Sequence, residues 1–409
     1  MLKAADLEAL FVRLRPAIEE SGLSIGQLHV DVVDADTLNA LASYSGMPSR
    51  IGHWSFGKVF HQMRTAHDYR MTQIYELVVN NRPAYAFMDR TTSQAQALMI
   101  LAHVVAHVDF FRHNRLFDAT PSDMVTRMAR HRHQFQELTC RYGVERVESL
   151  IDAAMVLMDF AGEHPRIPMR ASAPDDVMGF VMQNAPQLEN WERDALATLY
   201  GEARYFWPQQ LTKVSNEGYA TFWHQKILQR AELSAAEAWD VARLHAAVVQ
   251  TTRPQLNPYR LGLTLYQQLW LDGGLRQVFE ARSQYDDLGL IRRAFQEEMV
   301  ERTGLVLYRP QEPNPEPRPG TFTTIRSQLL RDLENGGIPH LRVQREDSLP
   351  DLVLQHRHDG RDLDFSILPF AMGLVASRLW KGRVRLHTLR QKVPHIVSHD
   401  GTQWEDSVG

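Results

Sequence analysis

"LAHVVAHVDFF", residues 101–111, sets two histidines four positions apart in a run broken otherwise by a single acid. In a helix, positions i and i+4 stack on one face about 6 Å apart along the axis, so His103 and His107 turn their rings toward a common point. The apolar character extends through Ala97, Leu98, Ile100, Ala102, Val104, Val105 and Val108. A helix over 93–115 is therefore apolar nearly all round and belongs in a protein interior. Buried imidazoles lose their water hydrogen bonds at a cost of a few kcal/mol, so this pair needs either a polar network or a metal ion.

Outward from this core helix, most of the chain reads as helical. Apolar positions recur at helical spacing from Ser55 to about Asn80 (Phe56, Val59, Phe60, Met63, Met71, Ile74, Tyr75, Val78), and "NNRP" then ends the helix. "AYAFMD", 84–89, reads as a short strand. Helical patterns follow at 122–141, 144–160, 187–206 and 215–232 and continue to about 305. Ahead of Ser55, a helix at 5–21 leads into a polar, irregular stretch with helical patches.

"YRPQEPNPEPRPGTF", 308–322, carries five prolines and reads as a stiff linker. Beyond it come a helix at 323–336, strands "HLRVQ" and "DLVLQHRH", a turn at Asp359-Gly360, a helix at 364–379, and strands "RVRLHTL" and "HIVSH". The expected class is α+β: a mostly α-helical domain over 1–307, the linker at 308–322, and a small αββαββ domain over 323–409.

A second stretch, "SNEGYATFWHQ" (215–225), follows an acid with Gly218, Ala220 and Thr221, small residues that let another backbone come close. On a helix Glu217 and His224 share a face but are separated by a rise of about 10.5 Å, too far for one ion. Glu217 is the favoured metal ligand, and His224 supports the ligands from behind or belongs elsewhere. Read alone, Glu217 is better explained as a first-turn acid beside the caps Ser215 and Asn216. Two helical histidines and one glutamate with an open fourth position form the ligand set of a catalytic zinc. Glu76, flanked by Ile74, Tyr75, Leu77, Val78 and Val79, is either a base or additional ligand, or half of a buried ion pair with an arginine. "NPYRLG", 257–262, reads as turn chemistry from Asn257, Pro258 and Gly262, and "RHDGRDLD" as a turn with Asp362 capping the next helix.

Composition narrows the function classes. With 45 basic and 49 acidic residues dispersed along 409 and a net charge of −4, no basic stripe argues for nucleic acid. The N-terminus lacks the apolar core of a signal peptide, and no run of about 18 uncharged apolar residues argues for a membrane span. The one cysteine, Cys140, permits neither an internal disulfide nor a cysteine-based zinc site, so a cytoplasmic location is expected. Phosphate-binding glycine loops and Gly-x-Ser-x-Gly elbows are absent.

Taken in order, "GMPSRIGHWSFGKVF", "IYELVVNNRPAYAFM", "ILAHVVAHVDFFRHN", "KVSNEGYATFWHQKIL", "NPYRLG" and "HDGRDLDF" resemble the stage V sporulation protein R (SpoVR-like) family across residues 45–390. The resemblance implies a cytoplasmic bacterial protein associated with spore cortex formation, also found in bacteria that do not sporulate. It further implies partnership with a PrkA-like serine protein kinase and a von Willebrand factor A-type protein.

A more distant likeness concerns mechanism. "HVVAHVDFF" followed by "NEGYATFW" is similar to the paired helices of gluzincin aminopeptidases, in which His-Glu-x-x-His precedes an Asn-Glu-Gly-Phe-Ala-type helix. That likeness implies gluzincin-like metal-site helices with His103, His107 and Glu217 as zinc ligands. Two departures accompany it: Val104 stands where the peptidases place their general base, and 109 residues separate His107 from Glu217. Val104 leaves three readings: Glu76 or Glu202 folded into the base position, a structural or redox-active metal, or histidines that hydrogen-bond Glu217 without an ion. The expected function is a metal-dependent, hydrolase-like protein acting on amide or ester bonds. The competing expectation is a non-catalytic scaffold or adaptor working with the kinase.

Overall fold

The computed structural model describes residues 2–68, 76–162, 175–250, 256–307, 318–344 and 350–409. In chain order the elements are α1 (Ala4–Glu20), β1 (Leu28–Val33), α2 (Ala35–Ser43), α3 (Trp54–Asp68), β2 (Glu76–Val79), β3 (Ala84–Asp89), α4 (Gln94–His113), α5 (Met124–Tyr142), α6 (Val144–Met158), α7 (Val177–Asn184) and α8 (Asn190–Leu211). They continue with α9 (Lys213–Arg230), α10 (Ala235–Val248), α11 (Pro258–Gln284), α12 (Asp287–Ala294), α13 (Met299–Thr303), α14 (Phe322–Leu333), β4 (His340–Gln344), β5 (Leu352–Arg357), α15 (Leu368–Leu374), β6 (Val384–Arg390), β7 (Val393–His399) and β8 (Trp404–Val408). The fold is mixed α+β, helical through its N-terminal part and sheet-containing at its C-terminal end.

The chain divides into two compact units, each assembled from two segments: Met1–Arg130 with Thr212–Leu330, and His131–Leu211 with Arg331–Gly409. Residues 308–317 of the expected linker lie outside the described residues.

The first unit is organised around α4. Ser93 caps it: the Ser93 hydroxyl accepts from the Gln96 N–H, and the Gln96 side chain accepts from the Ser93 N–H. From Ala95 to Phe111 almost every side chain of α4 is buried. By length and composition this helix qualifies as a membrane span, but 83% of that window is buried in the protein's own core. Helix α9 packs on α4, and α11 packs on α9. The second contact depends on two glycines, because a Cβ added to Gly218 would collide with the backbone of Gly262, and the reverse substitution would meet Val214 O.

"NPYRLG" is therefore not a turn. Asn257 caps α11, its Oδ1 accepting from the Arg260 N–H at 3.1 Å, Pro258 occupies the first turn, and Gly262 lies inside the helix at the α9 crossing. Farther along, α11 breaks at Gly273 and Gly274.

A three-stranded sheet, β1-β3-β2, completes this unit, with β1 parallel and β2 antiparallel to the central β3. Only β3 matches the strand expected from the sequence. Leu28–Val33, read as irregular, pairs along its full length with Ala84–Asp89. The helical reading through Met71, Ile74 and Tyr75 lies outside the described residues, and its continuation, Glu76–Val79, is a strand. The β-branched pair Val78 and Val79 suits a pleated ladder with Ala86 and Tyr85 better than another helical turn.

In the second unit, β4-β5-β6-β7-β8 form a sheet that is antiparallel except between β5 and β6. The order β4, β5, α15, β6, β7 follows the ββαββ part of the expected pattern and β8 extends it, whereas most of the expected first helix, α14, belongs to the first unit. Trp404–Val408 is an edge strand with four of five side chains exposed, so no apolar alternation announced it. Asp362 does not cap a helix. It accepts from His358 Nε2 at 3.0 Å and from the Gln391 N–H at 2.9 Å, and α15 starts only at Leu368.

Candidate metal centre

His103 and His107 stand one turn apart on α4, their ring centroids 4.5 Å apart and their planes perpendicular at 87°. Glu217 reaches them from α9. Its Oε2 lies 3.4 Å from His103 Nε2 and 3.5 Å from His107 Nε2. The three donor atoms fall within 4.8 Å of one another.

The start of α9 explains why Glu217 is free to do this. The carboxylate of Asp287, at the head of α12, accepts from the backbone N–H groups of Val214 (2.9 Å) and Ser215 (2.7 Å). The capping work that could have occupied Glu217 is therefore done by another residue. Glu217 sits one turn further in and points at the histidines.

This donor set could hold a metal ion. A tetrahedral ion with bonds of about 2.0–2.2 Å holds its donors about 3.3–3.6 Å apart, which brackets the separations of Glu217 from both histidines. Charge-assisted hydrogen bonds are shorter, about 2.7–2.9 Å.

The outer nitrogens are also held. His107 Nδ1 lies 2.9 Å from Asn216 Oδ1, which can only accept, so Nδ1 carries a proton and Nε2 is the nitrogen turned toward the centre. His103 Nδ1 is 3.1 Å from His224 Nδ1, and His224 Nε2 is 2.8 Å from His245 Nδ1. Two proton arrangements satisfy this chain: His103 donates from Nδ1 to His224, which donates from Nε2 to His245, or the direction runs the other way throughout. Both candidate imidazole ligands are thereby oriented with Nε2 toward Glu217.

The electrostatics match. Burial opposes charge on Glu217, yet His107 and His103 hold its carboxyl far below the usual carboxylate range. Burial likewise opposes charge on His107, but Glu217 and Asn216 keep it above the ordinary histidine value. Burial, reinforced by the neighbouring histidines, keeps His103 and His224 below it. Glu76, on β2, is pushed up to about 7, first by burial and then by the Glu217 carboxylate, with His107 opposing. Two carboxylates facing two imidazoles form a set that a divalent cation would neutralise.

One member of the cluster, His103, lines a cavity of about 510 Å³. Met99, Ile100, Leu244 and Val248 supply its apolar walls, and Glu76 and Tyr259 face it beside His103 and His224. The Tyr259 ring is 6.0 Å from that of His103. Its hydroxyl is held well above its ordinary pKa by burial and by the Glu217 and Glu76 carboxylates, so it keeps its proton.

Of the residues read from the sequence, His103, His107 and Glu217 thus converge, Glu76 stands beside them on a strand rather than a helix, and His224 backs His103. Among the described residues the charges acting on Glu76 are those of Glu217 and His107, not of an arginine. Val104 is fully buried, leaving no acid at the peptidase base position. Glu202 is bonded instead to His131 at 2.8 Å. Asn216, His245 and Tyr259 were not anticipated. Tyr259 and Asn216 lie inside quoted motifs, whereas nothing in the pattern of α10 distinguishes His245.

A profile of the family described as SpoVR like protein matches residues 2–174 and 162–338. Over 298 residues the chain is 27% identical to the uncharacterized protein YcgB of Escherichia coli (strain K12), an alignment covering 59% of this chain and 58% of that protein. The chain thus matches less than two thirds of this curated relative's length. No solved structure matches it. Every residue of the cluster, from Glu76 to Tyr259, falls inside the matched segments. With those segments spanning well over half of its 409 residues, the chain belongs to the SpoVR-like protein family.

Proposed function

We propose that this protein is a metal-dependent, hydrolase-like enzyme acting on an amide or ester bond, with zinc as the first ion to test. The observation that carries the reading is the convergence of His103, His107 and Glu217, with His103 lining a cavity that Glu76 and Tyr259 also line. His103 and His107 would hold the ion through Nε2 and Glu217 through a carboxylate oxygen. When bound, such an ion supplies Lewis acidity toward a carbonyl oxygen and toward water.

The chain's own groups then divide the remaining work. Glu76, poised near neutrality, can take a proton from water at its carboxylate and return it to a leaving amine or alkoxide. Tyr259 retains its phenolic proton and can donate a hydrogen bond to a developing oxyanion. Met99, Ile100, Leu244 and Val248 exclude water and favour an apolar substituent next to the scissile bond. In this arrangement Glu76 replaces the acid that the Val104 position lacks, coming from a strand instead of the same helix.

Metal analysis by mass spectrometry on untagged protein tests the reading, comparing wild type with His103→Ala, His107→Ala and Glu217→Ala. The expected result is about one ion per chain, lost in each variant while circular dichroism stays unchanged. A panel of amide and ester substrates then separates roles: Glu76→Gln keeps the ion but loses turnover by about 10²-fold or more. Absence of any ion from fresh and reconstituted wild type overturns the proposal. The histidines would then be a buried polar network in an adaptor, with a PrkA-like serine kinase and a von Willebrand factor A-type protein as the partners to try.

A further inference from the structure

A second cavity, of about 320 Å³, lies in the same unit beyond the C-terminal end of α4 and takes no part in the cluster above. Its walls come from three segments, 25–27, 80–84 and 120–122, over a floor formed by Val108, Phe111 and Phe117. The segments are tied to one another. The Ala84 N–H donates to Gln27 O at 3.0 Å, and the Arg82 N–H donates to Ser122 O at 2.8 Å. Asn80 Nδ2 donates to Thr120 Oγ1 at 3.2 Å. Asn81 Nδ2 donates to Pro83 O and its Oδ1 accepts from the Val125 N–H, both at 3.1 Å. The cavity is therefore a built feature of the fold, with its walls cross-linked by hydrogen bonds.

Its chemistry is one-sided. Arg82 and Arg112 both line it, accompanied by amides and hydroxyls, and among the described residues no acid does. Among the described residues neither arginine pairs with a carboxylate. The Arg112 guanidinium rests against the backbone of Gly26, where a Cβ would collide with Nη1 and where φ is +59°, a conformation suited to glycine. A cation in the last turn of α4 also suits the helix dipole, but that accounts for Arg112 alone and explains neither Arg82 nor the cavity.

We infer that this cavity binds a small organic anion, its carboxylate or phosphate group against Arg82 and Arg112 and its apolar part on Val108, Phe111 and Phe117. Guanidinium forks match both oxyanions, and an apolar floor beneath a cationic rim selects an amphiphilic small molecule over a bare ion.

The test is calorimetric titration of the full chain, freed of metal with a chelator, using benzoate, phenyl phosphate and the uncharged benzyl alcohol as probes. Saturable one-site binding of at least one anion is expected, with none for the alcohol. Which anion binds more tightly distinguishes a carboxylate from a phosphate ligand. Arg82→Met and Arg112→Met should each weaken binding tenfold or more, and added salt should weaken it further. His103→Ala should leave it unchanged, which separates this cavity from the metal cluster. Should Arg112→Met fail to fold, the exposed Arg82 decides the matter through Arg82→Met alone. No binding of either anion at about 10 mM, or binding indifferent to both substitutions, overturns the inference and leaves two solvated arginines.

Discussion

Asn216 and His224 ligate nothing in the proposed centre, yet they decide what its ligands can do. An imidazole free to flip presents either nitrogen, and the bond from His107 Nδ1 to Asn216 Oδ1 removes that freedom. His224 holds His103 Nδ1 in the same way and is itself held by His245. Asn216→Ala is therefore expected to weaken divalent-metal affinity by about 10- to 100-fold without changing the stoichiometry, measured by competition with a chromogenic chelator. His245→Ala, one step further out and only half-buried, should cost less than His224→Gln. Equal losses for both would show the chain of histidines to be packing rather than orientation. This inner geometry was partly readable from the sequence, because His103, His107 and Glu217 reveal themselves by spacing and residue type. The supporting bonds were hidden because a hydrogen bond between helices leaves no local periodicity.

At the level of elements, the position of Glu217 depends on how closely α9 and α11 approach. Gly218 and Gly262 meet backbone to backbone, so Gly262→Ala must push the helices apart. Overpacking of this kind costs about 1–3 kcal/mol, and the displacement carries Glu217 with it. Chemical denaturation should show the loss of stability, and metal affinity should fall in the same variant. A stable variant with normal affinity would mean that the helices can part without moving the carboxylate. The small residues after Glu217 signalled this approach, but their partner Gly262 was mistaken for a turn residue because Asn257 and Pro258 serve helix starts as readily as turns. Short strands were the weaker part of the reading for a related reason. Four residues of β2 cannot show a period, and their pairing with β3 is a long-range fact. The C-terminal sheet carries its own pH signature. Burial, followed by the charge of His358, draws His356 down to about 4, and its Nδ1 pairs with Thr388 Oγ1 on β6 at 2.8 Å. A histidine depressed on folding contributes stability that is complete above the unfolded value of about 6.5 and is lost as pH falls through about 4. His356→Gln should flatten that acid limb in a pH series of denaturation curves.

For the molecule as a whole, the separation of His107 from Glu217 acquires a structural reason. Residues His131–Leu211, most of the intervening stretch, belong to the other compact unit, together with the chain from Arg331 onward. Removed from the count, they leave α9 a short distance along the first unit from α4, so the long gap between His107 and Glu217 is an excursion into a second unit. A linear reading with one boundary near 308 could not express this, since interleaving is a property of contacts and not of composition. The arrangement makes a prediction about where metal binding is felt. Every residue of the cluster, Glu76, His103, His107, Asn216, Glu217, His224, His245 and Tyr259, comes from the first unit. A ligand that binds only the folded state stabilises what it touches, by about 2.7 kcal/mol at a concentration of 100 times Kd. Hydrogen exchange with and without zinc should therefore show slower exchange along α4, α9 and β2, with β4–β8 unchanged because that sheet contributes no ligand. In Glu217→Ala the protection should vanish everywhere. Protection confined to exposed histidines such as His133 would instead identify the ion as bound at the surface, and the cluster on α4 and α9 as a network held by hydrogen bonds alone.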